Sequence, residues 1–249
     1  MKIKISFKLI LLTSFLSVVV TIAQQPKFTT INFTGRDSVK ITADFYSAEN
    51  KSAPTILLFH QFRASRGEYR DIAPVLVSMG FNCFAFDTRA GGTDRWNNIE
   101  NETTKNSTDV GRNYLVVYPD LESAFNYVKS LGFTGKIIVW GSSFSSVLVL
   151  KFAEEYTSKI AGVLSFSPGE YIDGQKGIVA EWASEIKNLP TFIACGSTES
   201  ERAKPIFDKV QSKVKAFYVP TTGRHGSSIL LDDSKNWKPV KKFLKPFIK

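Results

Sequence analysis

Residues 137–150 read I-I-V-W-G-S-S-F-S-S-V-L-V-L, four serines around a phenylalanine between two apolar runs. A serine hydroxyl becomes a useful nucleophile only when a base takes its proton. On a strand-to-helix turn the hydroxyl must also project, and the G-x-S-x-G spacing permits this by removing side chains two positions before and two after the serine. Ser143 has Gly141 before it and Ser145 after it. Ser142 would sit between Trp140 and Phe144, and Ser145 between Ser143 and Val147. Only Ser143 has small residues on both sides, so it is the expected nucleophile, with Ser145 standing where the pattern has its second glycine. The plainer alternative is a polar hinge between a strand and a helix. The commonest base is histidine, and the chain has two, His60 and His225.

These residues need elements to hold them. T-T-I-N-F and V-K-I-T-A-D-F-Y alternate apolar with polar, the period of half-buried strands, and predict an antiparallel pair at a sheet edge. Residues 55–59, 82–86, 136–140, 160–166, 191–195 and 214–219 are short, continuously apolar runs. Strands without alternation are buried on both faces, which means a parallel sheet covered by helices. The stretches Y-R-D-I-A-P-V-L-V-S-M-G, D-L-E-S-A-F-N-Y-V-K-S-L-G and S-S-V-L-V-L-K-F-A-E-E-Y have helical spacing, the first two stopping at Gly80 and Gly132. The alternation predicts a doubly wound, mostly parallel α/β sheet of about eight strands flanked by helices. His225 then lies just beyond the last strand, at the carboxyl end where such sheets place their ligands. Residues 88–119 are polar and longer than an ordinary connection, a candidate functional loop. Residues 167–190 contain a predicted short helix, G-I-V-A-E-W-A-S-E-I, that would cover one end of the sheet.

Taken together, F-H-Q-F-R-A-S-R-G-E-Y, F-D-T-R-A-G-G, W-G-S-S-F-S and G-R-H-G resemble an α/β-hydrolase of the dienelactone-hydrolase-like branch, over most of the chain. The resemblance implies the α/β-hydrolase fold and hydrolysis of an ester or related acyl bond in a small molecule, without metal or organic cofactor. In such enzymes the chain order is Ser, acid, His, which makes His225 the expected base. The family commonly has its acid after the seventh strand in a G-x-x-D arrangement. Here Gly196 is followed by Glu199, with Asp173 and Glu201 as alternatives and a helix-start carboxylate as the structural reading of Glu199. The oxyanion hole would take the Phe144 N–H and an N–H from the loop after the first buried strand, that of Phe62 or Gln61, with His60 as loop scaffolding. Dienelactone hydrolases use a cysteine nucleophile, so lactone specificity does not carry over to this serine. Trp96, Tyr114 and Trp182 lie in irregular segments and are candidates to line an acyl or aryl pocket, or ordinary packing. The rival functions are a non-catalytic binding protein with this fold, and a peptidase or amidase.

At 249 residues, 43% hydrophobic and 22% charged, the chain has the composition of a globular protein with one domain. Lys2, Lys4 and Lys8 precede an almost wholly apolar run, residues 9–22, and small residues follow. That pattern describes a secretory signal peptide over residues 1–23, with a single mature domain over 24–249 exported to the periplasm or beyond. A permanent anchor is the alternative, but the run is shorter than the roughly 20 residues of a spanning helix. Of the net charge of +9, three positives belong to Lys2, Lys4 and Lys8, and the remaining excess sits largely in residues 235–249, where a solvated face of a terminal amphipathic helix explains it. No nucleic-acid-binding module accompanies it. Cys83 and Cys195 are expected as free, buried thiols, because the family's strand order separates the strands that carry them beyond the roughly 7 Å reach of a disulfide.

Overall fold

The computed structural model describes residues 27–92 and 94–248; the expected signal peptide lies outside them. In chain order the elements are β1 (Thr29–Thr34), β2 (Lys40–Tyr46), β3 (Thr55–Phe59), α1 (Ala73–Ser78), β4 (Asn82–Phe86), α2 (Glu102–Lys105), α3 (Tyr114–Ser130) and β5 (Ile137–Ser142). They continue with α4 (Phe144–Glu155), β6 (Gly162–Phe166), α5 (Ile178–Glu185), β7 (Thr191–Ala194), α6 (Ser200–Lys209), β8 (Lys215–Tyr218) and α7 (Trp237–Leu244). The strands form one sheet in the order β1-β2-β4-β3-β5-β6-β7-β8. β1 and β2 run antiparallel to each other, β2 runs antiparallel to β4, and every later pairing is parallel.

The apolar runs feed two cores because successive side chains on a strand point to opposite faces. On β5, Ile137 and Val139 join Leu57, Phe59, Phe84 and Phe86 beneath α3, α4 and α5. Ile138 and Trp140 face the other way and pack with Ile56, Leu58, Cys83 and Ala85 against α1 and α7. On α7 the buried Trp237, Val240 and Leu244 alternate with exposed Lys238, Lys241 and Lys242, the amphipathic face expected of the basic tail. Cys83 on β4 and Cys195 beyond β7 are free and buried, with β3, β5 and β6 between their strands.

Three local expectations differ from the structure. β8 is exposed or half-buried along its length, because it is the last strand of the sheet and has a neighbour on one side only. α3 begins at Tyr114 and contains Pro119, which the sequence reading leaves in the irregular segment. Asn113 caps this helix by accepting from Leu115 N–H at 3.0 Å, and burial of Val117, Tyr118 and Leu121 holds the turn despite the hydrogen bond that proline cannot make. The polar loop over residues 88–119 also holds the short helix α2, capped by the Asn101 side chain on Thr104 N–H at 2.8 Å.

Candidate active site

β5 ends at Ser142, and the chain turns at once into α4. The residue on the turn is Ser143, at φ 53° and ψ −117°, a backbone region that costs a non-glycine residue about 1–3 kcal/mol. Two neighbours permit the turn. A Cβ at Gly141 would stand 2.2 Å from the Ser145 carbonyl oxygen, so this position has no room for a side chain. Ser145, where the pattern has glycine, is fully buried and its hydroxyl donates to the His60 carbonyl at 2.6 Å. The departure from the pattern is thus a cross-link between the elbow and the end of β3.

Ser143 Oγ lies 2.5 Å from His225 Nε2, and His225 Nδ1 lies 2.5 Å from Glu199 Oε1. The three residues come from the carboxyl ends of β5, β8 and β7, at one edge of the parallel sheet. Glu199 closes a 3-10 turn before α6, and its Oε2 accepts from Gly196 N–H at 3.1 Å and from the Ser167 hydroxyl at 2.5 Å. Arg202, one turn on, donates to Oε1 at 2.7 Å. Burial pushes this carboxyl up, but the hydrogen bonds from His225 and Ser167 and the charge of His225 outweigh it and bring it down to about 2. A carboxylate against Nδ1 fixes the tautomer that leaves Nε2 free to accept the serine proton. Asp173 is 85% exposed and pairs with Arg112 at 3.0 Å, and Glu201 is exposed; neither meets His225.

Hydrogen bonding distinguishes the candidate oxyanion donors. Phe144 opens α4, and the first N–H groups of a helix have no acceptor within it. In the loop after β3, the Gln61 N–H is already spent on Glu68 Oε2 at 2.8 Å, which removes Gln61 as a donor. Phe62 N–H meets no acceptor among the described residues, while the turn around it is held by Arg63 N–H on the Ala90 carbonyl at 2.7 Å. His60 is fully buried beneath this loop. Its Nδ1–H donates to the Gln61 carbonyl at 2.7 Å and its Nε2 accepts from Thr88 N–H at 2.9 Å; burial lowers it to about 4, so it stays neutral.

Above Ser143 lies a cavity of about 180 Å³ lined by Phe62, Arg112, Ser143, Phe144, Tyr171, Arg202 and His225. The three aromatic candidates lie elsewhere. Tyr114 and Trp182 pack on each other at a ring separation of 5.8 Å; Trp182 belongs to the core under α5, while Tyr114 lines a neighbouring cavity of about 330 Å³ that shares Arg112 with the one above Ser143. Trp96 opens a tight turn with Ile99, and its carbonyl crowds Gly67 so closely that a Cβ there would lie 2.1 Å away. Sequence reasoning missed Tyr171, Arg112 and Arg202 on the cavity wall, and Ser167 behind Glu199. Ser167 follows β6, so its place at the carboxyl end of a central strand was the available signal. Tyr171 and Arg112 carry none, because only the packing of the irregular segments turns them inward, and Arg202 reads as an ordinary cation in the first turn of α6.

Comparisons agree with this architecture. An esterase of Pyrococcus furiosus, Pf2001, is similar at 19% identity over 90% of this chain and 93% of its own, with a TM-score of 0.71. A dienelactone hydrolase from Anabaena variabilis gives 14% identity, 91% and 100% coverage and a TM-score of 0.67. A thermostable carboxyl esterase from Bacillus coagulans gives 12%, 89%, 99% and 0.69. At these identities the likeness is one of fold. No curated protein matches the sequence. Residues 54–233, from the start of the parallel sheet to beyond His225, match the family model described as alpha/beta hydrolase fold, and the chain therefore belongs to the α/β hydrolase family.

Proposed function

We propose that this protein hydrolyses short-chain carboxylic esters by two-step acyl transfer. His225 Nε2 takes the proton of Ser143 as Oγ attacks the ester carbonyl, and the oxyanion is held by the Phe144 and Phe62 N–H groups. His225 then protonates the departing alcohol, which leaves Ser143 acylated. Water gives up a proton to His225, attacks the acyl carbon, and the acid departs as Ser143 recovers its proton. Glu199 stays ionised throughout and stabilises the imidazolium in both steps. The observation that carries this reading is the continuous contact from Ser143 Oγ through the His225 ring to Glu199, with Ser143 on a strained turn at a helix start.

The cavity supports a small acyl group. Its volume of about 180 Å³ lies below the roughly 300–1,000 Å³ of pockets for drug-sized ligands. Kinetics on p-nitrophenyl esters of increasing chain length test this, with acetate and propionate expected to turn over best. Fluorophosphonate should label the wild type and leave Ser143→Ala unlabelled. A wild type that resists labelling and cleaves no ester favours the non-catalytic binding protein; cleavage of anilides in preference to esters favours an amidase.

Export is part of the proposal, on the basic start and apolar run of residues 1–22. Among the described residues no helix is long and apolar enough to cross a membrane. The mature protein should begin near Gln24; N-terminal sequencing that finds Met1 in the membrane fraction points to a retained anchor.

A further inference from the structure

One buried ionisable group takes no part in the chemistry above. Glu68 is 1% exposed, in a single 3-10 turn (Arg66–Tyr69) packed under the site, and it does not line the cavity. Its two carboxylate oxygens go to two different loops. Oε2 accepts from Gln61 N–H at 2.8 Å, and Oε1 accepts from the Ser142 hydroxyl at 2.6 Å. Ser142 Oγ in turn accepts from Ser227 N–H at 2.9 Å, two residues beyond His225. The histidine loop presses directly on this hydroxyl. Gly226 has φ +69°, and a Cβ there would stand 2.3 Å from Ser142 Oγ. Trp140 Nε1–H donates to Ser227 Oγ at 2.8 Å, which ties the same loop to β5.

The chemistry of Glu68 suits this junction and little else. Each of its hydrogen-bond partners is a neutral donor, and two donors need two acceptors. A carboxylate offers both oxygens, whereas an amide would turn its NH2 toward one of the donors. Burial pushes the carboxyl up to about 7, against the hydrogen bonds from Ser142 and Gln61 and the charge of His225. A buried acid without a bonded cation is a costly way to fill space, so its acceptor pattern is what distinguishes it from an apolar or amide side chain.

We propose that Glu68 is a positioning residue of the reaction, joining the loops that carry the Phe62 N–H, the Ser143 hydroxyl and the His225 ring at their mutual distances. Engaging Gln61 N–H inward leaves Phe62 as the donor of that loop. Holding Ser142 fixes the residue before the nucleophile, and through Ser227 it fixes the loop that bears the base. The inference rests on the ester-hydrolase reading.

The test is kinetics of the full chain on p-nitrophenyl acetate, normalised by active-site titration, for wild type, Ser143→Ala, Glu68→Gln, Ser142→Ala and the double variant Glu68→Gln/Ser142→Ala. Misplacement of reacting groups by about 1 Å costs on the order of a hundredfold, so Glu68→Gln should lower kcat about ten- to a hundredfold with KM within about threefold of wild type. Ser142→Ala should act in the same direction, and the double variant should be little worse than Glu68→Gln, because both changes cut one link. A kcat for Glu68→Gln within about twofold of wild type, or effects that multiply as if independent, overturns the proposal. If Glu68→Gln does not fold, Ser142→Ala decides alone, and a wild-type kcat in it overturns the proposal. An active wild type with unaffected variants refutes the positioning role only. An inert wild type that fluorophosphonate leaves unlabelled refutes the hydrolase reading and this inference with it.

Discussion

Replacing Glu199 by glutamine isolates what the carboxylate does. Its two oxygens accept from four donors, His225 Nδ1–H and Arg202 on Oε1, Ser167 Oγ–H and Gly196 N–H on Oε2. The amide has one acceptor oxygen and must aim its NH2 at one of these pairs. If the NH2 faces His225, the ring changes tautomer, Nε2 carries the hydrogen, and Ser143 loses its base. If it faces Ser167 and Gly196, two N–H groups oppose each other and Ser167 loses the acceptor for its own hydrogen. Either outcome should lower kcat by about a hundredfold or more, toward the roughly 10⁴ seen for a wrong tautomer in a serine protease, with a smaller effect on KM. Stability gives a second measure. Glu199 falls from its ordinary 4.5 to about 2, which at about 1.4 kcal/mol per pH unit sets an upper bound of about 3 kcal/mol that solvent screening at this half-buried group lowers. The folded carboxyl holds its proton less tightly than the unfolded one, so this stabilisation is present above pH 4.5 and lost as pH falls toward 2. Glu199→Gln should therefore lack that acid-side loss. Steady-state kinetics and urea melts at pH 3 and pH 7 give both numbers. A variant with kcat within about threefold of wild type refutes the tautomer argument.

Gly141→Ala should destabilise by about 1–3 kcal/mol or more and abolish turnover, since its Cβ would lie 2.2 Å from the Ser145 carbonyl; a thermal melt within 2 °C of wild type would contradict the close approach. Asp173→Asn should leave kcat within about twofold, because that side chain is 85% exposed and meets Arg112 rather than His225; a loss comparable to that of Glu199→Gln would move the acid to the segment after β6. Glu68 binds its proton more tightly folded than unfolded, so it contributes fully below pH 4.5 and loses that contribution as pH rises toward 7. Relative to wild type, Glu68→Gln should gain up to about 3 kcal/mol between pH 4.5 and pH 8, measured by urea unfolding at both; an unchanging difference would mean the group ionises normally.

Much of the site was legible because it depends on short-range pattern. Ser143 stands out by the size of its neighbours, His225 by being one of two histidines and lying past the last strand, and Glu199 by its spacing from Gly196. What escaped depends on contacts between distant segments. The choice between Phe62 and Gln61 turns on Glu68, seven residues on, folding back under the loop. The use of Ser145 requires His60, 85 residues earlier, to end its strand against α4. Trp182 shows why aromatic content in an irregular stretch is weak evidence for a pocket, since a tryptophan satisfies a core as well as a cavity wall. Pro119 inside α3 is the reverse case, where tertiary burial overrides a local breaker.

The strand order has a kinetic side. On one side β5 pairs with β6, the next strand in the chain, but on the other it pairs with β3, setting Thr55 against Ile137, a separation of 82 positions. Contacts of that range form only after a large entropic loop closure, and chains dominated by them fold slowly. Ser143 stands one residue beyond β5, and the His60 carbonyl that receives the Ser145 hydroxyl stands one residue beyond β3. The elbow therefore cannot close until this central pairing exists, whereas α3 and α4 need only local turns. On dilution from denaturant, helical signal should return first and ester turnover last, with the apolar faces of β3 and β5 open to other chains in the interval.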